Sequence, residues 1–145
     1  MTFIKSWSMF SFASSFHFDV MGLDANRFMR YSQMKNLTVL KLNSSKLQEI
    51  QSGTFDQLKL LESLDLSSNN LKTLTASVIT GLRKLRFFNL AGNRLKVISS
   101  KLLDPLKVLK SVDQSNNECI NMSYPKVASN EIKDQIIKEC LLLIC

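Results

Sequence analysis

The chain is predicted to be an α/β solenoid: a short curved coil with a parallel sheet on its concave side, an irregular convex return and a helical cap at its C-terminal end. Three observations lead there. An apolar pattern returns every 24 residues between positions 37 and 117, an asparagine recurs at one point of that period, and the cysteines fall only in the last part of the chain. Leu37, Leu40, Leu42, Leu47, Ile50, Phe55 and Leu58 return as Leu61, Leu64, Leu66, Leu71, Leu74, Ile79 and Leu82, and again as Leu85, Phe88, Leu90, Leu95, Ile98, Leu103 and Leu106. A fixed period of this size marks stacked supersecondary units, none of which can bury its apolar face alone.

Each window opens with x-x-L-x-L-x-x, the alternation of a short strand with one buried face. Stacking one window on the next turns isolated leucines into continuous rows. Phe55, Ile79 and Leu103 then plug the back of the core, where the chain returns along the convex side. Asn69, Asn93 and Asn117 stand between strand and return, and Ser45 takes their place one window earlier. Backwards, the period reaches Leu23, Asn26, Tyr31 and Met34, with Phe16 and Phe18 in the strand slots and Met21 replacing the asparagine. Forwards, Leu109, Val112, Gln114 and Asn117 open a last window in which Gln114 replaces a strand leucine. The reading is of about five windows over residues 13–118, an N-terminal segment over 1–12 and a cysteine-containing cap over 119–145.

The pattern L-x-x-L-x-L-x-x-N-x-L-x-x-L resembles the leucine-rich repeat in its 24-residue form, and the resemblance implies a short horseshoe. It also implies that the asparagines point inward and bond backbone groups of neighbouring turns. The stretch Ser115-Asn116-Asn117-Glu118-Cys119-Ile120-Asn121, with Lys138-Glu139-Cys140 after it, looks most like the C-terminal caps of insect, particularly mosquito, leucine-rich-repeat immune proteins. Over about residues 13–140 the resemblance implies an extracellular, secreted protein of innate immune recognition or scaffolding. Its implied partner is a protein ligand or complement-like factor, held by disulfide-linked pairs.

Extracellular members of the family commonly close their last turn with a disulfide-bonded cap, and Cys119 sits where such a cap begins. Ser129 reads as a helix N-cap, and Ile132, Ile136, Ile137, Cys140 and Leu141 share one face of the helix that follows. That face, laid on the end of the coil, brings Cys140 over Cys119. Cys145 is left over and is a candidate for an intermolecular disulfide. The alternative is three reduced cysteines in an intracellular protein. Asn36, Asn43 and Asn121 head N-glycosylation sequons, which matter only in a secreted chain. Residues 1–12 read equally as a poor signal peptide, a cap for the open core or a truncated start. No run of 18 or more apolar residues occurs, so no membrane-spanning helix is expected.

Nothing in the chain points to catalysis, and no cofactor or metal is expected. It has no phosphate-binding glycine loop and no G-x-S-x-G turn, and its single histidine, His17, is remote from every cysteine. Asp65 and Asp113 hold equivalent positions 48 residues apart and read as solvated face residues rather than an acid–base pair. The net charge of +7 falls in columns, Lys35, Lys59, Arg83 and Lys107 in one, Lys46 and Arg94 in another and Lys72 and Lys96 in a third. Those columns carry no interleaved aromatics, so a solvated convex face is expected and nucleic acid is not, with an anionic glycan, a bacterial surface or an acidic protein as the alternative partner. Side chains between the buried strand leucines must point out of the sheet. His17, Lys41, Asp65, Phe87, Asn89 and Asp113 are therefore the candidate partner-binding residues of the concave face. The function expected is a non-enzymatic protein-binding module, secreted and immune. A fragment of a leucine-rich-repeat receptor ectodomain and an intracellular scaffold are the alternatives.

Overall fold

The computed structural model describes residues 15–17, 34–98, 102–118 and 123–124. Among them run eight short strands: β1 (Ser15–His17), β2 (Val39–Lys41), β3 (Ser63–Asp65), β4 (Thr73–Leu74), β5 (Phe87–Asn89), β6 (Val97–Ile98), β7 (Ser111–Asp113) and β8 (Ser123–Tyr124). A single helical turn, Ala76–Ile79, follows β4. One sheet has the order β1-β2-β3-β5-β7-β8, and β4 pairs with β6 in a second, two-stranded sheet. From β1 to β7 every pairing is parallel.

The register is the 24-residue period itself. Phe16 stands opposite Leu40, Leu40 opposite Leu64, Leu64 opposite Phe88 and Phe88 opposite Val112. A one-residue slip would exchange the buried and outer faces of a strand, so the leucines fix the pairing. Leu40, Leu64, Phe88 and Val112 are all buried, as are Leu42, Leu66 and Leu90 just beyond their strands. Backbone bonds from Leu42 N to Asp65 O, Leu66 N to Asn89 O and Leu90 N to Asp113 O carry the ladder past the three-residue strands.

The apolar rows expected from the sequence form one core. Leu37, Leu61 and Leu85 are fully buried, the plugs Phe55, Ile79 and Leu103 close its back, and Ile50 is partly buried against it. Burying each leucine contributes about 1.5–3 kcal/mol relative to leaving it in water. A further buried row, Thr54, Val78 and Leu102, completes the convex side. Thr54 fits there because its hydroxyl donates to the Gln51 carbonyl at 2.7 Å, leaving its methyl for the core.

The turn that leaves β2, β3, β5 and β7 is also periodic. Ser44, Ser68, Gly92 and Asn116 have φ of 59, 54, 66 and 55°, a left-handed residue once per coil. Inside this turn the asparagines act as the resemblance implies. Asn69 Oδ1 accepts the backbone N–H groups of Ser45 and Leu47, both at 3.0 Å. Asn93 Oδ1 accepts that of Leu71 at 3.1 Å and Asn117 Oδ1 that of Leu95 at 3.0 Å. Ser45 is buried in the same place, and its hydroxyl donates to the Asn43 carbonyl at 3.4 Å.

The far end of the sheet departs from expectation. β8 pairs with β7 in the antiparallel sense, Val112 opposite Tyr124 and Asp113 opposite Ser123, so the sheet is not parallel throughout. An exposed edge of unpaired N–H and C=O groups invites such a cover. The helix expected from Ser129, the N-terminal segment over 1–12, and Cys119, Cys140, Cys145 and Asn121 lie outside the described residues. Among the described residues no helix is long and apolar enough to cross a membrane.

Candidate partner-binding face

The parallel register lines up the predicted binding residues in two rows. Lys41, Asp65, Asn89 and Asp113 are successive partners across β2, β3, β5 and β7, and His17 holds the same register position on β1. Val39, Ser63, Phe87 and Ser111 form the second row, two residues earlier on each strand. Neighbouring members of a row are one strand spacing apart, about 4.8 Å.

Phe87 and Phe88 show how a strand sorts its side chains. Phe88 is 2% exposed in the core, whereas Phe87 is 48% exposed on the outer face. On either side of Phe87 the partners are the small polar Ser63 and Ser111, which leave its ring uncovered. An exposed aromatic ring with short neighbours is a rigid apolar contact of large area, the usual form of an interface anchor.

The polar row is more local in its bonding than the sequence suggests. Asp65 and Asp113 are half-buried, not freely solvated. Asp65 Oδ1 accepts the Ser67 N–H at 3.0 Å and the Ser67 hydroxyl at 2.6 Å. Asp113 Oδ1 does the same with Ser115, at 3.0 and 2.7 Å. Asn89 Oδ1 accepts the Ala91 N–H at 3.0 Å. These three side chains bend the chain out of the strand, as Asx turns do, and keep limited capacity for a partner. The signal is present in Asp65-Leu66-Ser67 and Asp113-Gln114-Ser115, an Asx residue two before a serine. Lys41 is exposed in the same row and is its solvent-facing cation.

At the entry to the strands Arg86 meets Glu62 of the preceding coil at 3.2 Å. Their side chains are 39% and 45% exposed, so the pair adds little stability but fixes charge beside Phe87. Of the sequon asparagines, Asn36 is exposed in a turn and Asn43 is half-buried, with Ser45 of its sequon buried. No group of three or more His, Cys, Asp or Glu side chains placed to hold a metal occurs among the described residues.

Residues 35–95 match the family model for the leucine-rich repeat. Among solved structures the chain is similar to the protein of a TLR13-ssRNA13 complex, with a TM-score of 0.57 and 28% sequence identity. The match covers 60% of this chain and 12% of that one, so this chain spans a small part of the length of its structural relative. No curated protein matches. Period, ladder, sheet and both similarities agree on a leucine-rich-repeat solenoid.

Proposed function

We propose that this leucine-rich-repeat coil is a non-enzymatic protein-binding module that takes its partner on the concave sheet, with Phe87 as the anchor. The observation carrying this reading is the 48% exposure of Phe87 between two serine-bearing strands, on a face the core packing holds rigid. The Arg86–Glu62 pair sets charge of both signs beside it and Lys41 adds a cation two strands away, which suits selection of a complementary protein surface. Five three-residue strands, each about 10 Å long and about 4.8 Å from the next, offer roughly 240 Å² in projection, against about 800 Å² per partner in a standard interface. The edges of the coil, a second copy or further repeats supply the remainder.

Within this reading the module is secreted and acts in innate immune recognition or scaffolding, with a complement-like factor as the partner. Cys119 pairs with Cys140, and Cys145 links two copies. The resemblance of the Ser115–Asn121 stretch to insect caps supports this. A second reading, a segment of a larger leucine-rich-repeat receptor ectodomain, is favoured by the 12% of the TLR13 chain that the match occupies.

The test is capture from extracellular fluid by immobilised chain, followed by titration of the captured partner against Phe87→Ala. Loss of an anchor side chain weakens binding by about 2 kcal/mol or more, while stability stays within about 0.5 kcal/mol because the ring is exposed. Unchanged affinity moves the site off the concave face. Electrophoresis of the secreted chain with and without reductant separates the linked dimer from the receptor segment.

A further inference from the structure

β2, β3, β5 and β7 are each entered through a two-residue turn, closed by a backbone bond from the residue after it to the residue before it. The bonds are Leu37 N to Met34 O, Leu61 N to Leu58 O, Leu85 N to Leu82 O and Leu109 N to Leu106 O. The first residue of every one of these turns is basic: Lys35, Lys59, Arg83 and Lys107, all exposed. Successive strands are about 4.8 Å apart, so the four cations stand in a row along one edge of the coil. Lys84 adds another as the second residue of its turn.

Among the described residues no ion pair ties up this row; the pairs present are Arg86–Glu62 and Lys96–Glu118. Asp56 and Asp104 lie three residues ahead of Lys59 and Lys107 and pair with neither. Like charges held one strand apart repel each other, a cost that a polyanionic surface reverses. The second turn residues add an independent observation. Leu60 and Val108 are 36% and 49% exposed, and with Phe87 they are the large hydrophobics the coil leaves open among the described residues.

We propose that this turn edge docks on an anionic lipid bilayer, the cations on headgroup phosphates and Leu60 and Val108 in the acyl boundary. Lysine is depleted in protein–protein interfaces, which weighs against a protein partner for this edge. Single-stranded nucleic acid is held by stacking on aromatics, and these turns contain none. A sulfated glycan satisfies the cations but gains nothing from exposed aliphatic side chains. A bilayer rewards both components.

The full chain is co-sedimented with vesicles of equal parts phosphatidylglycerol and phosphatidylcholine, and with phosphatidylcholine alone, in about 0.1 M salt. Binding to the anionic vesicles only is expected. The variant K59Q/R83Q/K107Q should lose about a hundredfold in partitioning, some fivefold per charge. L60S/V108S should lose several-fold on vesicles while its salt elution from heparin is unchanged. All these side chains are exposed, and far-UV circular dichroism checks that each variant is folded. Undiminished vesicle binding by the triple variant overturns the proposal. So does retention on heparin or an oligoribonucleotide without vesicle binding. An L60S/V108S variant that binds vesicles normally overturns the lipid assignment in favour of a general polyanion.

Discussion

Asn69 and Asn93, one coil apart, both donate to the carbonyl of Leu66, each at 2.9 Å. The Leu90 carbonyl is shared in the same way by Asn93 at 2.9 Å and Asn117 at 3.0 Å. Each asparagine thus bonds its own coil and the preceding one, so stacking order passes through a chain of amides rather than through leucine contacts alone.

The ladder is not uniform, and its gradient is testable. Asn69 is buried and satisfies two backbone N–H groups, whereas Asn117 is half-buried and satisfies one. An orphaned buried donor costs about 1–3 kcal/mol. Asn69→Ala should therefore lower unfolding free energy by about 3–5 kcal/mol and Asn117→Ala by about 1–3 kcal/mol. Urea denaturation of the two variants gives the order; equal losses would mean that the bonds of the ladder do not set its energetics.

A second prediction concerns the left-handed column. Ser68 and Gly92 occupy it on consecutive coils with φ of 54 and 66°. A non-glycine residue there costs roughly 1–2 kcal/mol, and glycine gives back part of that through its own chain entropy, about 0.5–1 kcal/mol. Ser68→Gly should stabilise by about 0.5–1 kcal/mol and Gly92→Ala should destabilise by about the same. A Cβ on Gly92 would meet Ser68 N and Oγ only at 3.5 Å, an ordinary contact, so the loss is conformational. Opposite shifts in midpoint between the two variants are the expected result.

How much of the molecule is legible in its sequence follows from this division of labour. Burial in a stacked coil forces identical side-chain classes into identical slots, so the spacing of Leu40, Leu64, Phe88 and Val112 is enough to declare their row. The placement of Phe87 opposite to Phe88 follows from strand alternation alone. The left-handed column is hidden because Ser44, Ser68, Gly92 and Asn116 share a backbone angle and not a side-chain class. Thr54 is hidden in a buried row because its polarity masks it, its hydroxyl being satisfied locally. Asp65 and Asp113 look solvated in the sequence because alternation places a side chain on a face but does not say whether a neighbouring serine claims it. The antiparallel β8 lies beyond the period, where no repeat constrains the chain.

Gln114 supplies the last prediction. It replaces a leucine in the row of Leu42, Leu66 and Leu90, and it is 1% exposed like them. Its Oε1 has no hydrogen-bond partner among the described residues. A buried unsatisfied amide oxygen forfeits about 1–3 kcal/mol of solvation, while leucine in its place adds apolar area to a row already built for it. The two side chains are close in size, so the overpacking cost stays small. Gln114→Leu should raise the unfolding free energy by about 1–2 kcal/mol, read as a higher denaturant midpoint at unchanged slope. A lower midpoint would overturn this reading and show that the buried amide stabilises the last coil.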